Sequence, residues 1–260
     1  MPAVSVAYLP MRVFGLTAII LLSIVDLSWS QVDIPSSQAK LPMFRPVLLG
    51  TGPESLINRI DTAGLMKQGQ KDAAIMFSCS VKKDGSVLSV STYRGTPDSK
   101  LLEQELLKKL SAAANPKFVP AIYNHMPVDA IYYGTAILAV VDGKPRLRIF
   151  SNQERTELVK ESDFIGPQPF WGGDSKFNGF RYPSPDTAPV MVDGSVELEL
   201  KVDAAGNLQY LKILSEQPPF IGFGDTAFED LKKAKFIPAF RDGKPVACDV
   251  KIPIYYKSTL

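Results

Sequence analysis

One short segment occurs twice in the chain, and this repetition constrains the fold more than any other feature of the sequence. Residues 117–121 are Lys-Phe-Val-Pro-Ala and residues 235–239 are Lys-Phe-Ile-Pro-Ala, so a single branched apolar residue differs between them. A Pro-Val pair follows each copy, at Pro127-Val128 and at Pro245-Val246. In a chain of 260 residues, such a repeat predicts two structural units of similar design.

The second copy begins with a predicted β-hairpin that is followed by a helix. Apolar and charged residues alternate from 196 to 202, which is typical of a strand with one buried face. Gly206 lies in the turn, where glycine tolerates positive φ, and the return strand ends near residue 214. The helix is predicted to start with a capping box between Thr226 and Glu229.

The Phe-x-Pro-Ala segment is interpreted as the exit from this helix into a strand. Pro238 cannot continue a helix, and Phe236 fills the gap between helix and sheet. A closing strand then runs from Val246 to Tyr256.

The first copy has the same order, with a hairpin turn at Gly85, a helix over residues 101–114 and a strand over residues 128–140. The predicted fold class is therefore α+β, with two tandem β-β-α-β units. Each unit is expected to be a small, three-stranded antiparallel sheet that is covered by one helix.

The predicted domain organisation starts with a leader. Residues 13–25 are almost entirely apolar, and Ser28-Trp29-Ser30 is a small-x-small pattern, so residues 1–30 predict a signal peptide that directs export to the periplasm or cell envelope. An uncleaved inner-membrane anchor is the alternative. The further predicted segments are an extended lead-in (31–71), the first unit (72–141), an aromatic and proline-bearing connector (142–181) and the second unit (182–260).

The charge and the titratable residues favour no catalytic or nucleic-acid function. The net charge is +2, and the 29 basic and 27 acidic residues are spread along the chain. His125 is the only histidine, and no cluster of metal ligands or nucleophile motif surrounds it. We therefore predict a protein without catalytic residues, metal or cofactor, and without a nucleic-acid partner.

The two cysteines are predicted to be free thiols. Cys79 and Cys248 each alternate with apolar residues of a strand, so each is expected to face the core of its own unit. A disulfide between them is the alternative, and it would require the two cores to meet.

Residues 182–257 resemble the TonB C-terminal domain family. The resemblance is carried by Tyr182-Pro183, Asp193-Gly194-Ser195-Val196-Glu197-Leu198, Val202-Asp203-x-x-Gly206-x-Leu208, Lys235-Phe236-x-Pro238-Ala239, Gly243-x-Pro245-Val246 and Ile252-Pro253-Ile254. It implies a binding domain that takes up a short segment of an outer-membrane receptor as an added strand. Residues 72–141 are similar to a diverged second copy.

The resemblance places the predicted binding site on the closing strand. Strand addition needs a sheet edge with free N–H and C=O groups, and Pro253 suits an edge because it cannot donate to a ladder. Pairing of this strand with a second copy of the chain is a further expectation. The candidate partner-binding residues are Val246, Ala247, Cys248, Asp249, Val250, Lys251 and Ile252.

Two other functions remain open from the sequence. A glycan or another small molecule of the envelope would stack on Phe170 and Trp171 of the aromatic connector, in contrast to the structural interpretation of this segment as a plug between the units. If the leader stays uncleaved, the chain would be a full energy transducer of the TonB type.

Overall fold

Each Phe-x-Pro-Ala segment follows a helix and lies against the turn of a β-hairpin, in both halves of the chain. The computed structural model describes residues 43–111, 116–184 and 191–258, and all of these fall in one compact unit. The predicted signal peptide and the lead-in before residue 43 lie outside the described residues.

The first half of the described chain contains six strands and three helices. In chain order they are β1 (Phe44–Arg45), α1 (Leu56–Arg59), α2 (Thr62–Lys67), β2 (Ala73–Val81), β3 (Val87–Tyr93), α3 (Lys100–Leu110), β4 (Ala121–Tyr123), β5 (Met126–Val141) and β6 (Lys144–Phe150).

The second half of the described chain adds seven strands and two helices. They are α4 (Arg155–Lys160), β7 (Gln168–Trp171), β8 (Gly194–Val202), β9 (Leu208–Gln217), α5 (Phe223–Leu231), β10 (Phe236–Ile237), β11 (Ala239–Arg241), β12 (Lys244–Val246) and β13 (Cys248–Tyr256). The mixture of helices and antiparallel sheets confirms the α+β class.

The larger sheet is organised around β5. This strand of 16 residues pairs with β2 along residues 130–138, and also with β4, β7 and β6 at successive positions. β3 extends the sheet beyond β2, β1 extends it beyond β4, and β10 joins through β7. The prediction of three strands is therefore wrong for the first sheet, which has eight. The extra strands come mainly from the predicted lead-in and connector.

The smaller sheet has three antiparallel strands in the order β13–β8–β9. The predicted closing strand is divided, because Val246 pairs with Ala239 in the short β11–β12 hairpin whereas β13 pairs with β8 from Cys248 to Tyr256. Helix α5 packs on the apolar face of this sheet. It starts at Phe223 after Gly222, which has a φ of 86°.

The predicted capping box at the start of α5 is wrong. The hydroxyl of Thr226 donates a hydrogen bond back to the Gly222 carbonyl at 2.8 Å, and the N-cap residue of the helix is Gly222, which has no side chain to cap it. Thr226 lies inside the first turn, where a threonine hydroxyl bonds to the carbonyl four residues earlier instead of capping.

The repeated sequence forms the same backbone contact twice. The N–H of Phe118 donates to the Gly85 carbonyl at 2.8 Å, and the N–H of Phe236 donates to the Gly206 carbonyl at 2.9 Å. In each hairpin turn an Asp carboxylate accepts backbone hydrogen bonds: Asp84 accepts the N–H of Ser86, and Asp203 accepts the N–H groups of Ala205 and Asn207. The Phe-x-Pro-Ala segment thus fastens the end of the helix region to the turn of the hairpin.

A second matching feature was not predicted from the sequence. Leu48 bridges to Val119 of the first copy, and Gln168 pairs with Ile237, the equivalent residue of the second copy. In both halves, therefore, the segment that precedes the unit pairs antiparallel with the strand that leaves the helix.

The core consists of two hydrophobic clusters, and each cluster contains residues from both halves of the chain. Ile237 and Phe240 belong to the first cluster, and Ile131 and Tyr133 of β5 belong to the second. Cys79 is buried in the first cluster, where burial raises the pKa of its thiol, and Cys248 borders the second. Both thiols are free.

Candidate partner-binding edges and an adjoining cleft

The three-stranded sheet offers two outer edges, one on β13 and one on β9. β8 is central, and no strand of the described residues pairs with the outer side of either neighbour. An unpaired edge presents free backbone N–H and C=O groups, which another extended segment can pair with. Either edge is therefore a candidate position for an added strand.

The contacts of Lys251 show which backbone N–H and C=O groups of β13 point away from β8. Its N–H donates to the Glu154 carboxylate at 3.0 Å, and its carbonyl accepts from the Gln153 carboxamide at 2.7 Å. Both groups thus point away from β8, and alternate residues of an antiparallel strand point the same way. Asp249, Pro253 and Tyr255 consequently face outward as well, and Pro253 has no N–H to donate.

The side chains that cover this edge are themselves held in place. Gln153 is buried and its carboxamide oxygen accepts a hydrogen bond from the Tyr93 hydroxyl at 2.5 Å. The ring of Tyr93 stacks on Tyr255 with centroids 5.3 Å apart. Burial raises the pKa of the Glu154 carboxyl, although it accepts the N–H of Lys251. The middle of the β13 edge is therefore satisfied within the chain.

The candidate residues of the closing strand are spread over two elements. Val246 ends β12 and Ala247 joins it to β13, while Cys248 to Ile252 form the first part of β13. Val250 and Ile252 point into the core, whereas Asp249 and Lys251 are exposed. Burial raises the pKa of the Cys248 thiol to about 12, so this cysteine is not a reactive group at the edge.

The β9 edge is covered by no other strand of the described residues. Glu199 lies opposite Lys251, so its backbone groups face β9 and pair with Lys212. Leu211 and Ile213, on either side of Lys212, therefore present their N–H and C=O groups to solvent. Register shifts at both ends limit the regular part of the β9 pairing to residues 210–213.

Large apolar side chains are exposed on and beside β9. Tyr210 and Leu214 are both exposed, and Phe220, three residues beyond the end of the strand, is 96% exposed. The loop that carries Phe220 is fixed by Glu216, whose carboxylate accepts the N–H groups of Ile221 and Phe223 at 3.2 and 2.9 Å. An exposed aromatic ring on a fixed loop is a typical anchor for a protein partner.

A cleft of about 410 Å³ lies beside the other edge, between β13 and the face of the larger sheet that points away from α3. Its floor is formed by serine side chains of β2 and β3. Its walls include Trp171, Phe180, Tyr133 and Tyr255.

The two predicted stacking residues have different surroundings. Phe170 is fully buried and packs on Tyr123 with centroids 4.8 Å apart, so its ring is not accessible to a ligand. Trp171 is half-buried, packs on Phe177 at 5.0 Å and also lines the cleft. The aromatic segment is thus part of the packing between the clusters, and only Trp171 of the two candidates also faces open space.

The described residues contain no group of three or more His, Cys, Asp or Glu side chains that could hold a metal ion. His125 is exposed in the β4–β5 turn, where it and Asn124 both have positive φ. In the same described ranges, no helix has the length and apolar character that crossing a membrane requires.

Comparison with known proteins gave a family match in the C-terminal part of the chain. Residues 186–258 match the family described as Gram-negative bacterial TonB protein C-terminal. The resemblance to the TonB C-terminal domain family found in the sequence is thereby confirmed for this part of the chain. The match does not extend to residues 72–141. Neither the curated proteins nor the solved structures gave a match.

Proposed function

We propose that this protein is a component of the bacterial cell envelope that binds a protein partner through its C-terminal domain. The partner would add an extended segment to an edge of the β13–β8–β9 sheet. The family match supports a role in protein interaction. A segment of an outer-membrane receptor is the partner that the family suggests, which would link the protein to TonB-type transport.

The observation that carries the proposal is the open edge of β9. Leu211 and Ile213 direct backbone donors and acceptors to solvent, and Phe220 supplies an exposed apolar anchor next to them. Backbone pairing would give affinity to the partner strand, while a pocket on the partner for the Phe220 ring would add specificity. Lys212 lies between the two outward-facing residues. A charged lysine side chain on an edge strand disfavours unspecific pairing with other strands.

The predicted site from Val246 to Ile252, of which Cys248 to Ile252 lie on β13, remains the alternative position for the partner strand. A strand added there would have to displace Gln153 and Glu154 from Lys251, and it would find no donor at Pro253. It would gain a longer regular neighbour, because β13 pairs with β8 over nine residues without a register shift. Binding at the β9 edge and binding at the β13 edge therefore predict that the partner is captured from different residues.

Site-specific photo-crosslinking in envelopes separates these possibilities. A crosslinker replaces Lys212 on β9 or Asp249 on β13, and the captured proteins are identified by mass spectrometry. We expect capture of a partner from position 212, and loss of that capture with Leu211→Pro but not with the matched control Leu211→Ala. Proline at 211 removes one outward N–H and no hydrogen bond to β8.

Each outcome of this experiment has a definite meaning. Capture from position 249 alone would assign the partner to β13, and self-capture would indicate a homodimer through the sheet edge. Absence of capture from both positions in folded protein would contradict the proposal. Phe220→Ser should weaken capture by about tenfold, a typical loss for an aromatic anchor, without a change in the unfolding midpoint, because the ring is 96% exposed.

We further infer that residues 72–141 are a diverged copy of the C-terminal domain. The inference is supported by the equivalent contacts of Phe118 with Gly85 and of Phe236 with Gly206. The equivalent pairs Leu48–Val119 and Gln168–Ile237 support it as well. In this proposal the first copy has been extended by further strands and now stabilises the second.

The energy-transducer hypothesis depends on the leader, which the structure does not describe. Sequencing the N-terminus of the protein from isolated envelopes tests it. Gln31 as the first residue would support a cleaved, periplasmic protein, whereas an intact leader in the membrane fraction would support an anchored transducer.

A further inference from the structure

The cleft beside β13 has a floor of hydroxyl groups. Ser78 of β2 lies opposite Ser91 of β3, and Ser80 lies opposite Ser89, so four serines form a square on one face of the larger sheet. Ser80 and Ser89 hydrogen bond to each other at 3.0 Å. The hydroxyls of Ser78 and Ser91 have no hydrogen-bond partner among the described residues, although both side chains are half-buried.

Aromatic rings form the walls above this floor. Trp171 and Phe180 stand on one side, and Tyr133 and Tyr255 also line the space. The floor therefore supplies directional donors and acceptors, and the walls supply flat apolar surfaces. The cleft has a volume of about 410 Å³, which falls in the range of small-molecule sites. Such sites combine an apolar lining with a few placed polar groups.

The charges around the cleft exclude a strongly charged ligand. Its lining contains one cationic residue, Lys82, and one acidic residue, Asp129. The Asp129 carboxylate already accepts the backbone N–H of Lys83 at 2.6 Å. An anionic ligand would need several cationic donors, and a cationic ligand would need several carboxylates.

A peptide strand fits the cleft poorly, in contrast to the sheet edges. The floor is a sheet face, which presents side chains and no free backbone ladder. The part of β13 that borders the cleft begins with Pro253, which has no N–H to offer to an added strand. The cleft and the proposed partner edge on β9 are thus separate features.

We propose that this serine-floored cleft binds a neutral oligosaccharide of about two sugar rings, a size that the volume of the cleft suits. The apolar face of one ring packs on Trp171, and its hydroxyl groups exchange hydrogen bonds with Ser78 and Ser91. Hydroxyl groups both donate and accept hydrogen bonds, so each serine can act as the donor or as the acceptor towards a sugar hydroxyl. This proposal is independent of the proposed partner binding.

Tryptophan fluorescence tests the proposal directly, because Trp171 and Trp29 are the only tryptophans of the chain. In the full chain with Trp29→Phe, all the tryptophan emission comes from the wall of the cleft. Chitotriose and maltotriose serve as neutral probes, and calorimetry gives an independent affinity. We expect a saturable change of emission with at least one probe, with a Kd of about 1 mM or tighter.

Variants of the floor assign the signal to the cleft. Ser78→Ala combined with Ser91→Ala should weaken binding about tenfold, since two hydrogen bonds to neutral groups are lost. The matched control Ser215→Ala, on exposed β9, should leave the affinity unchanged. The unfolding midpoint should not fall in the double variant, because the Ser78 and Ser91 hydroxyls that it removes have no hydrogen-bond partner in the described chain.

Three outcomes would overturn the inference. They are the absence of saturable binding with both saccharides, an affinity that the double serine variant leaves unaltered, and an equal loss in the Ser215→Ala control. None of these results would affect the crosslinking of a protein partner at position 212, so failure of this inference is distinguishable from failure of the proposed function.

Discussion

At the scale of single residues, two glycines connect the hairpin turns to the repeated Phe-x-Pro-Ala segments. Gly206 has a φ of +77°, and a Cβ atom added to it would lie 2.0 Å from the Phe236 carbonyl oxygen. The corresponding values at Gly85 are +81° and 2.2 Å, with the Phe118 carbonyl oxygen as the obstacle. Backbone cannot move aside as the end of a flexible side chain can, so each position requires glycine.

The first prediction compares glycines that share a positive φ but differ in their surroundings. Gly206→Ala should lower the free energy of unfolding by at least about 2 kcal/mol, because it adds a backbone clash to the strained conformation. Gly243→Ala is the control, since no atom lies within 4 Å of its added Cβ. It should cost about 1 kcal/mol for the left-handed conformation alone. Equal losses in urea unfolding would contradict this account.

The sequence predicted the positive φ of Gly206 but not its contact with Phe236. A turn signal such as Asp203 followed by glycine is local, whereas the carbonyl that excludes a Cβ lies 30 positions further along the chain. The two glycines are 121 positions apart and the two phenylalanines 118, so the stretch between glycine and phenylalanine is three residues shorter in the second copy. The helix changes length, with 11 residues in α3 and nine in α5, while both ends of the contact stay in place.

At the scale of elements, α4 is tied to the β11–β12 hairpin by one ion pair. Arg241 donates to both carboxylate oxygens of Glu157, at 2.7 and 3.1 Å. The Arg241 guanidinium also lies over the Phe164 ring, 5.0 Å from its centroid. The hydrogen bonds from Arg241 and then from Ser162 lower the pKa of Glu157 from 4.5 to about 2. This pair therefore links the second unit to a helix of the predicted connector.

The second prediction follows from the direction of that pKa shift. Because the pKa of Glu157 is lower in the folded than in the unfolded chain, its contribution to stability is present above pH 4.5 and is lost as the pH falls towards 2. Glu157→Gln should make the free energy of unfolding less dependent on pH in this window.

Arg241→Ala should reduce the same pH dependence, and the double variant should add nothing to it, because both single changes remove one interaction. Denaturant unfolding at several pH values between about 2 and 6 measures this effect in all four proteins. A pH dependence in Glu157→Gln that equals that of the unchanged protein would assign the acid sensitivity to other carboxylates.

Sequence periodicity predicted the strands of this fold better than their pairing. The alternation in β2 and β8 and the hairpin turns were predicted at nearly their observed positions, because they depend on neighbours in sequence. The division of the closing strand at Ala247 was not predicted, since the apolar alternation continues through it. Its cause is tertiary, because Val246 pairs with Ala239 and Cys248 with Val202.

The same limit applies to the candidate site. The sequence selected the closing strand from its family resemblance, but it contained no sign that Gln153 and Glu154 satisfy Lys251. It also gave no sign that Phe220 is almost fully exposed, because an aromatic residue between prolines and glycines looks like any other loop residue. Only the exposure of the ring and the pairing of the strands distinguish the two edges.

At the scale of the whole molecule, the two repeats do not have separate cores. Ile131 and Tyr133 of β5 pack in the second cluster, and Ile237 and Phe240 pack in the first. β7 pairs both with β5 and with β10, so the larger sheet contains backbone from both halves. Alternating apolar residues indicate which face of a strand is buried, but not which element buries it. The expectation of one core per repeat was therefore too simple.

The shared packing predicts that the described chain unfolds as one cooperative unit. Ile131 is 6% exposed, and its strand is the centre of the larger sheet although its side chain packs in the second cluster. Ile131→Ala should lower the free energy of unfolding by about 2–5 kcal/mol, the usual cost of a core truncation. Val159→Ala, at a side chain that is 78% exposed, should change it by less than about 0.5 kcal/mol.

Trp171 fluorescence, in a Trp29→Phe background, and far-ultraviolet circular dichroism should give coincident urea transitions for all variants. Two separated transitions, with only the later or the earlier one shifted by Ile131→Ala, would mean that the halves fold independently in spite of their common sheet.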